Sequence, residues 1–355
     1  DAVSFPDAAA ARQRYVDRAR ARRLMEHYNN TREQHYVSRA EQRLNATNPS
    51  AKPKNQTLYC FAVGDREHAA LAAETAKTVK IATTLVASDL FSFDIQGNLR
   101  ANLERQFQAY EAGISRHSVT LLKKMQARDH EDLKADLLGL FVCKFVGFLR
   151  NPHCITKVLN TIGALADYTL TDQLHFDAQQ ALLRGNRPHR GWLSARFGVS
   201  AEAYEQWVRA LFMLSTPEAP GQPNLLERTI KHLLETRFVS VHLNHYLGEC
   251  SEEICLLSDR GHVMSVESES IFALDFNISR SAFVTFAFCD IDAFVPPGTP
   301  ERYVHALKQR REVVVHYKAN DLRALARYNA NAVYQCATSV YAAKRQVRTS
   351  FSDTQ

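Results

Sequence analysis

The 355-residue chain lacks any apolar run near the roughly 20 residues that a spanning helix needs. Its longest apolar stretch, Leu137 to Leu149, is short and is interrupted by Lys144, so no membrane segment is expected. It has seven cysteines, an odd number with no CxxC pair, which reads as reduced thiols in a cytoplasmic protein rather than a disulfide framework. No charged segment followed by an apolar one opens the chain, so nothing there requests secretion. There is no GxGxxG, Walker A loop, HExxH, GxSxG elbow or kinase signature, and dinucleotide, P-loop and zincin readings fall with them. Internal repeats and low-complexity tracts are absent too, which excludes solenoids and propellers.

What is there is the composition of a folded globular protein, 45% hydrophobic and 23% charged, long enough for one large domain or two ordinary ones. The net charge of +6 is unevenly spread. Between Ala8 and His27 six arginines stand against two acids, a local net of +4, behind a helix-start pattern at Pro6 and Asp7. Residues 1–30 therefore read as a basic helix. Arg12, Arg14, Arg18 and Arg22 are either contacts for nucleic-acid phosphates or the solvated face of a loosely packed helix.

Residues 31–345 read as one domain, followed by a tail at 346–355. Ala46 to Thr57 is rich in turn residues, and Leu58 to Val63 has the content of a buried strand. Leu99, Leu103, Phe107, Tyr110, Ile114, Leu121 and Met125 line one face of a long helix. Leu133, Leu137, Phe141, Phe145 and Phe148 line a second, which Pro152 closes. Helical patterns continue to 237. From 238 to 290, β-branched and aromatic runs at Val239–Leu243, Ile254–Leu257, Ile271–Phe276 and Ala282–Phe288 predict a small antiparallel sheet, and 300–345 reads as helix again. The expected fold is α+β, mainly helical with a small antiparallel β-sheet.

Cys250, Cys255 and His262 match no common zinc spacing. His242 and His245 stand three apart in a predicted strand, where they would face opposite sides and could not chelate together; in a helix they could. The densest polar cluster is Thr31 to Asn45, in which His35, Tyr36, Arg39, Glu41, Gln42 and Arg43 fall within nine positions. An imidazole can exchange a proton near neutral pH, a phenol can relay one, and a guanidinium binds phosphate in two-point fashion. The plainer alternative is that His35 and Tyr36 anchor the segment to the core while the charges face water.

The QHYV of Gln34 to Val37 resembles the HYVP box of a bacterial family of unknown function, and further blocks follow in that family's order. Leu58 to Val63 is similar to its first strand, and Glu104 to Lys124, with Glu111, to its long helix. Phe148 to Pro152 (FLRNP) is similar to an arginine-x-proline helix end, and Leu256 to Asp259 (LLSD) to a strand ending in Ser-Asp. Asn331 corresponds to a late helical asparagine. Ser38 stands where the family has proline, and Arg260 and Gly261 replace its asparagine and proline after the Ser-Asp pair. The resemblance implies a divergent member and an accessory role near antiviral defence genes, with no activity to carry over.

If these separated motifs converge in one cleft, His35 is the general acid or base, Tyr36 its neighbour in proton transfer, Asp259 its orienting partner or a metal ligand, and Arg150 the group that neutralises an anion. Gln34, Arg39, Gln42, Ser258 and Asn331 then complete the substrate contacts. Arg150 as the cap of its own helix and Asp259 as the start of a turn are the structural alternatives. The constellation favours an antiviral-defence or toxin-type effector that cleaves nucleic-acid phosphodiesters, RNA before DNA. A non-enzymatic sensor of a phage-derived trigger or partner subunit, and a hydrolase of a nucleotide such as NAD, are the other classes. A divalent metal fits this chemistry, but His35 and Asp259 fix neither ligand count nor geometry.

Overall fold

A computed structural model describes residues 31–350 except 73, 75, 96–98, 128, 130–131, 171–172, 185–186, 188, 218–221, 269, 291–294 and 310–312. The basic helix expected over residues 1–30, with Arg12, Arg14, Arg18 and Arg22, lies outside the described residues. The described chain divides into two compact units. One comprises 31–34, 87–109 and 155–228, and the other 35–86, 110–154 and 229–350.

The first unit combines helices with a hairpin of Ser92–Ile95 and Leu99–Asn102 and with most of the paired strands Glu33–His35 and Val86–Ser88. Its helix Ala201–Ser215 starts at Ser200, whose hydroxyl accepts the Ala203 N–H at 3.1 Å and satisfies one of the donors orphaned at a helix start. Trp207 and Tyr204 from this helix are fully buried. Trp207 packs against Phe91 with ring centroids 5.5 Å apart, and the Tyr204 hydroxyl donates to the Leu90 carbonyl at 2.8 Å.

In the second unit, α1 (Arg39–Leu44) begins at Ser38, whose Oγ accepts the Glu41 N–H. The serine that departs from the HYVP pattern is thus a helix cap. Two further helices follow: α2 (Glu104–Ala127), which belongs to this unit from Tyr110 onward, and α3 (Lys134–Leu149).

The strands overturn the expectation of a mainly helical protein around one small antiparallel sheet, because the described residues form two five-stranded sheets. One combines β1 (Thr57–Asp65), β2 (Ala70–Leu71), β3 (Lys77–Lys80), β5 (Leu257–Ser258) and β10 (Ser339–Ala342). The other has the order β6 (Val263–Ser268), β7 (Ile271–Ser279), β8 (Ala282–Cys289), β4 (Phe238–His245), β9 (Val314–Ala319), in which β9 runs parallel to β4. The missed strand β2 is two residues long and carries no periodicity to read, while of the strand expected over Ile254–Leu257 only Leu257 is in β5. The segment 300–345, expected as helix, contains β9 and β10 on either side of the helix α4 (Leu322–Gln335). A single core joins both sheets to α4 through Phe61, Val340, Val263, Phe283, Leu325 and Tyr328.

The second sheet sorts its residues by parity. Val239, Val241 and Leu243 of β4, with Phe276, Phe286 and Phe288, point to one face, where the Phe141 ring of α3 meets those three phenylalanines at 4.8 to 6.2 Å. Deeper on α3, the Lys144 ammonium is buried against the Glu41 carboxylate at 2.5 Å and the Asn277 carbonyl at 2.7 Å. Asn277 also accepts from Asn45 and donates to the carbonyls of Cys255, Leu256 and Ser279. This network ties α1, α3 and β7 together. Lys144→Met should cost about 3–5 kcal/mol by stranding Glu41, and Lys144→Met with Glu41→Leu should recover most of that loss. Urea denaturation of the single and double variants checks both values.

Candidate functional site

The first unit holds one of the expected site residues, Gln34. Its amide donates to Ser92 Oγ at 3.0 Å and accepts the Phe91 N–H at 2.6 Å, so it is engaged in fixing the turn at 89–92.

The other expected residues with described positions lie in the second unit. His35 is buried, with Nε2 3.3 Å from the Ile81 carbonyl and 3.4 Å from Arg39 Nε. Burial, with the charge of Arg39 next in weight, lowers its pKa to about 4. Tyr36 sits edge-on to His153 with centroids 5.5 Å apart, and Gln42 donates to the carbonyls of Val37 and Thr84. Arg150 is buried, donates to the His35 carbonyl at 2.9 Å and is paired with Glu111. Its neighbour Asn151 donates to the Asp259 carbonyl at 2.9 Å.

The HYVP-like box, the helix end and the Ser-Asp strand end therefore do meet, but they meet through main-chain carbonyls. The Asp259 carboxylate accepts the N–H groups of Ala337, Thr338 and Ser339 and the Thr338 hydroxyl, all within 3.0 Å. That is a full set of partners for a carboxylate holding the turn between α4 and β10. Ser258 Oγ accepts the Arg260 N–H, and Gly261, at φ +72°, closes the turn in a conformation that glycine adopts freely. Asn331 is half-buried on α4, whereas Asn329 is the fully buried asparagine there and bonds the main chain at Ile254, Leu256 and Arg348.

Among the described residues no group of three or more His, Cys, Asp or Glu side chains is arranged to hold a metal ion, and Cys250 and Cys255 are free thiols.

A different polar centre occupies the other face of the β6–β7–β8–β4–β9 sheet. One cross-strand row reads His316, His242, Thr285, Asp275 from β9 to β7, since His316 pairs with His242, His242 with Thr285 and Thr285 with Asp275. Two residues along, Lys318 pairs with Asn244, and in the opposite direction Ser240 pairs with Ala287 and Ala287 with Ala273. The alanines leave a hollow in this face. α4 borders it with Ala324 and Arg327, leaving a partly open cavity of about 260 Å³ lined by His242, Asn244, Asp275, Thr285, Lys318 and Arg327 among others.

The groups in this cavity are held away from their ordinary states. Asp275 is 7% exposed and accepts from the Thr285 hydroxyl, and burial raises its pKa to about 6 against the opposing pull of that bond and of Arg327. His242 stacks on His316 at 4.8 Å, and its Nε2 lies 3.0 Å from Ser240 Oγ. Burial, then the charges of His316, Lys318 and Arg327, lower its pKa and keep the imidazole neutral. Asn244 is 3% exposed, yet its Oδ1 has no hydrogen-bond partner in the protein. A buried acceptor without a donor is costly and marks a place for one.

An imidazole, a guanidinium and a carboxyl therefore do share one hollow, but they are His242, Arg327 and Asp275. The signal in the sequence was the alternation of β4, in which Ser240, His242 and Asn244 interleave with Val239, Val241 and Leu243. His242 and His245 fall on opposite faces of that strand, and His245 lies 3.4 Å from the Tyr317 hydroxyl. Comparison with protein families, with curated proteins and with solved structures found no match for this chain.

The pKa of Asp275 has a stability consequence. Below about pH 4 its carboxyl is protonated both folded and unfolded, and no penalty applies. The penalty grows as pH rises from the unfolded value of 3.8 to the folded value of about 6 and is full above that. Asp275→Asn should therefore stabilise the protein by roughly 3 kcal/mol at pH 8 and by little at pH 4. Thermal unfolding at the two pH values checks this, and an equal gain at both would rule out burial of the charge as the cause.

Proposed function

We propose that this chain cleaves phosphodiester bonds, those of RNA before those of DNA, as a bacterial defence or toxin-type effector of the HYVP-box kind, and that it does so in the sheet cavity. The observation that carries this reading is the meeting of a neutral imidazole, a carboxyl with a raised pKa and two cations around one hollow. His242 takes the proton of the attacking hydroxyl, and Asp275 in its protonated form delivers one to the leaving oxygen. Lys318 and Arg327 hold the non-bridging oxygens and the charge that builds on them. The unpartnered acceptor of Asn244 suits a ribose 2′-hydroxyl, the donor that separates RNA from DNA.

Size discriminates among nucleotide-type ligands. A cavity of about 260 Å³ falls below the roughly 300–1,000 Å³ of sites that enclose drug-sized ligands, so it suits one sugar-phosphate unit of a strand better than a whole dinucleotide such as NAD. The kinship to the HYVP-box family is supported by the contact of its blocks, since the FLRNP residues Arg150 and Asn151 bond the main chain of His35 and Asp259.

Purified protein given end-labelled single-stranded RNA and DNA of one sequence should cut the RNA. His242→Ala and Asp275→Asn should each slow cleavage by about 10²- to 10⁴-fold. The rate should be bell-shaped in pH. It rises as His242, facing His316, Lys318 and Arg327, loses its proton below pH 6.5, and falls above about pH 6 as Asp275 loses its own. Induced expression should arrest growth with wild type and spare cells carrying His242→Ala. A folded wild-type protein that leaves RNA intact across pH 5 to 8 would remove the reading.

A further inference from the structure

The attacking hydroxyl in that scheme has a candidate at the edge of the cavity, bonded to one of its lining residues. Ser240 precedes His242 by two positions on β4, so both side chains leave the same face of the strand. The Ser240 Oγ lies 3.0 Å from His242 Nε2, and the serine is half-buried, open enough to be reached. Its cross-strand neighbour is Ala287, which lines the cavity and has no bulk to cover the hydroxyl. His316, stacked on His242 with ring planes 19° apart, holds the imidazole in this orientation. A hydroxyl at hydrogen-bond distance from an imidazole that itself lines a cavity holding two cations is an arrangement that activates a serine nucleophile.

We propose that Ser240 is a covalent nucleophile for phosphodiester cleavage, with His242 as its base; the choice of RNA rests on the reading given above. In the first step the Ser240 Oγ–P bond forms and the P–O bond to the leaving strand breaks. His242 Nε2 takes the serine proton, and Asp275 gives its proton to the leaving oxygen. One strand remains joined to Ser240 through a phosphodiester. In the second step a water oxygen bonds to phosphorus and the P–Oγ bond breaks. The Asp275 carboxylate takes the water proton, and the His242 imidazolium returns its proton to Oγ. The products are a phosphate monoester end and a hydroxyl end, with all three residues restored. Attack by the 2′-hydroxyl of the substrate would instead leave a 2′,3′-cyclic phosphate.

Two probes test this. The first is RNA with one 5′-bridging sulfur at the cut site, whose thiolate leaves without an acid. With it, Asp275→Asn should accumulate an RNA–protein adduct that peptide mass spectrometry maps to Ser240. The second is diisopropyl fluorophosphate, which should add one diisopropylphosphoryl group to Ser240 with loss of fluoride, at a rate at least tenfold lower in His242→Ala and not at all in Ser240→Ala. Thermal unfolding of Ser240→Ala at the wild-type temperature shows that its loss of reaction is chemical. RNA cleavage that persists in Ser240→Ala, or that leaves a cyclic phosphate, overturns the nucleophile and spares the proposed function. Fluorophosphate labelling of Ser240 by a protein that leaves RNA intact supports the nucleophile and sinks the choice of substrate. Failure of both probes overturns the proposal.

Discussion

The second unit depends on the fact that a strand has only two faces. In β4 the residues Val239, Val241 and Leu243 must be buried, and they are, on the side that carries the aromatic cluster of Phe141, Phe276, Phe286 and Phe288. Their burial dictates where Ser240, His242 and Asn244 go. A slip of one residue in register would exchange the two sets and put three polar side chains against four phenylalanine rings, at a cost that no rearrangement of the cavity side could offset. The chemistry of the cavity is thus positioned by packing on the opposite face of the same sheet. The same packing explains why mutations in the aromatic cluster would be felt at His242 without touching it.

The residues that look most reactive in the sequence are engaged with the main chain. Arg150 and Asn151 follow α3, and their side chains fasten it to the main chain at His35 and Asp259. Asp259 in turn gathers three main-chain N–H groups and a hydroxyl at the start of β10. Segments that must cross between separate sheets have no ladder of their own to satisfy their backbone groups, so side chains do it. Buried arginine, aspartate and asparagine in such positions are selected by the backbone they satisfy. Lys144, Glu41, Asn277 and Asn45 extend the same device one layer deeper, where charge is tolerated because each group is bonded.

Much of this was legible. The faces of α2 and α3 follow the helical period, and Phe107, Ile114, Leu121 and Met125 of α2 are buried, whereas Leu99, read onto the same face, lies in the strand Leu99–Asn102 and Leu103 precedes the helix. The runs at 239–243, 271–276 and 282–288 are strands. What did not show was anything that depends on pairing between distant segments. β2 exists only because β1 gives it a partner, and β9, with its alternation of valine, histidine, tyrosine and lysine, sits in a region whose stronger helical pattern masked it. The cavity is a property of register. Its row of His316, His242, Thr285 and Asp275 draws on four strands, and only Thr285 and Asp275, on the two arms of one hairpin, are near each other in sequence. Proximity in sequence favoured His35, Tyr36 and Arg39; proximity in space favours a set scattered over 240 to 327.

The contrast between two aspartates separates architecture from site. Asp259 is buried and fully bonded, so its carboxylate leaves no acceptor unmet. Asp275 is buried as well, but it accepts one hydroxyl and is held near pH 6, so folding at neutral pH loses by keeping it. Asn244, two strands away, is likewise buried with its acceptor unpaired. A scaffold gains nothing from either; an asparagine or a leucine at 275 would satisfy the fold better. Groups that cost stability mark the part of the fold where packing alone does not account for the residue present, and both of these face the same hollow beneath Arg327.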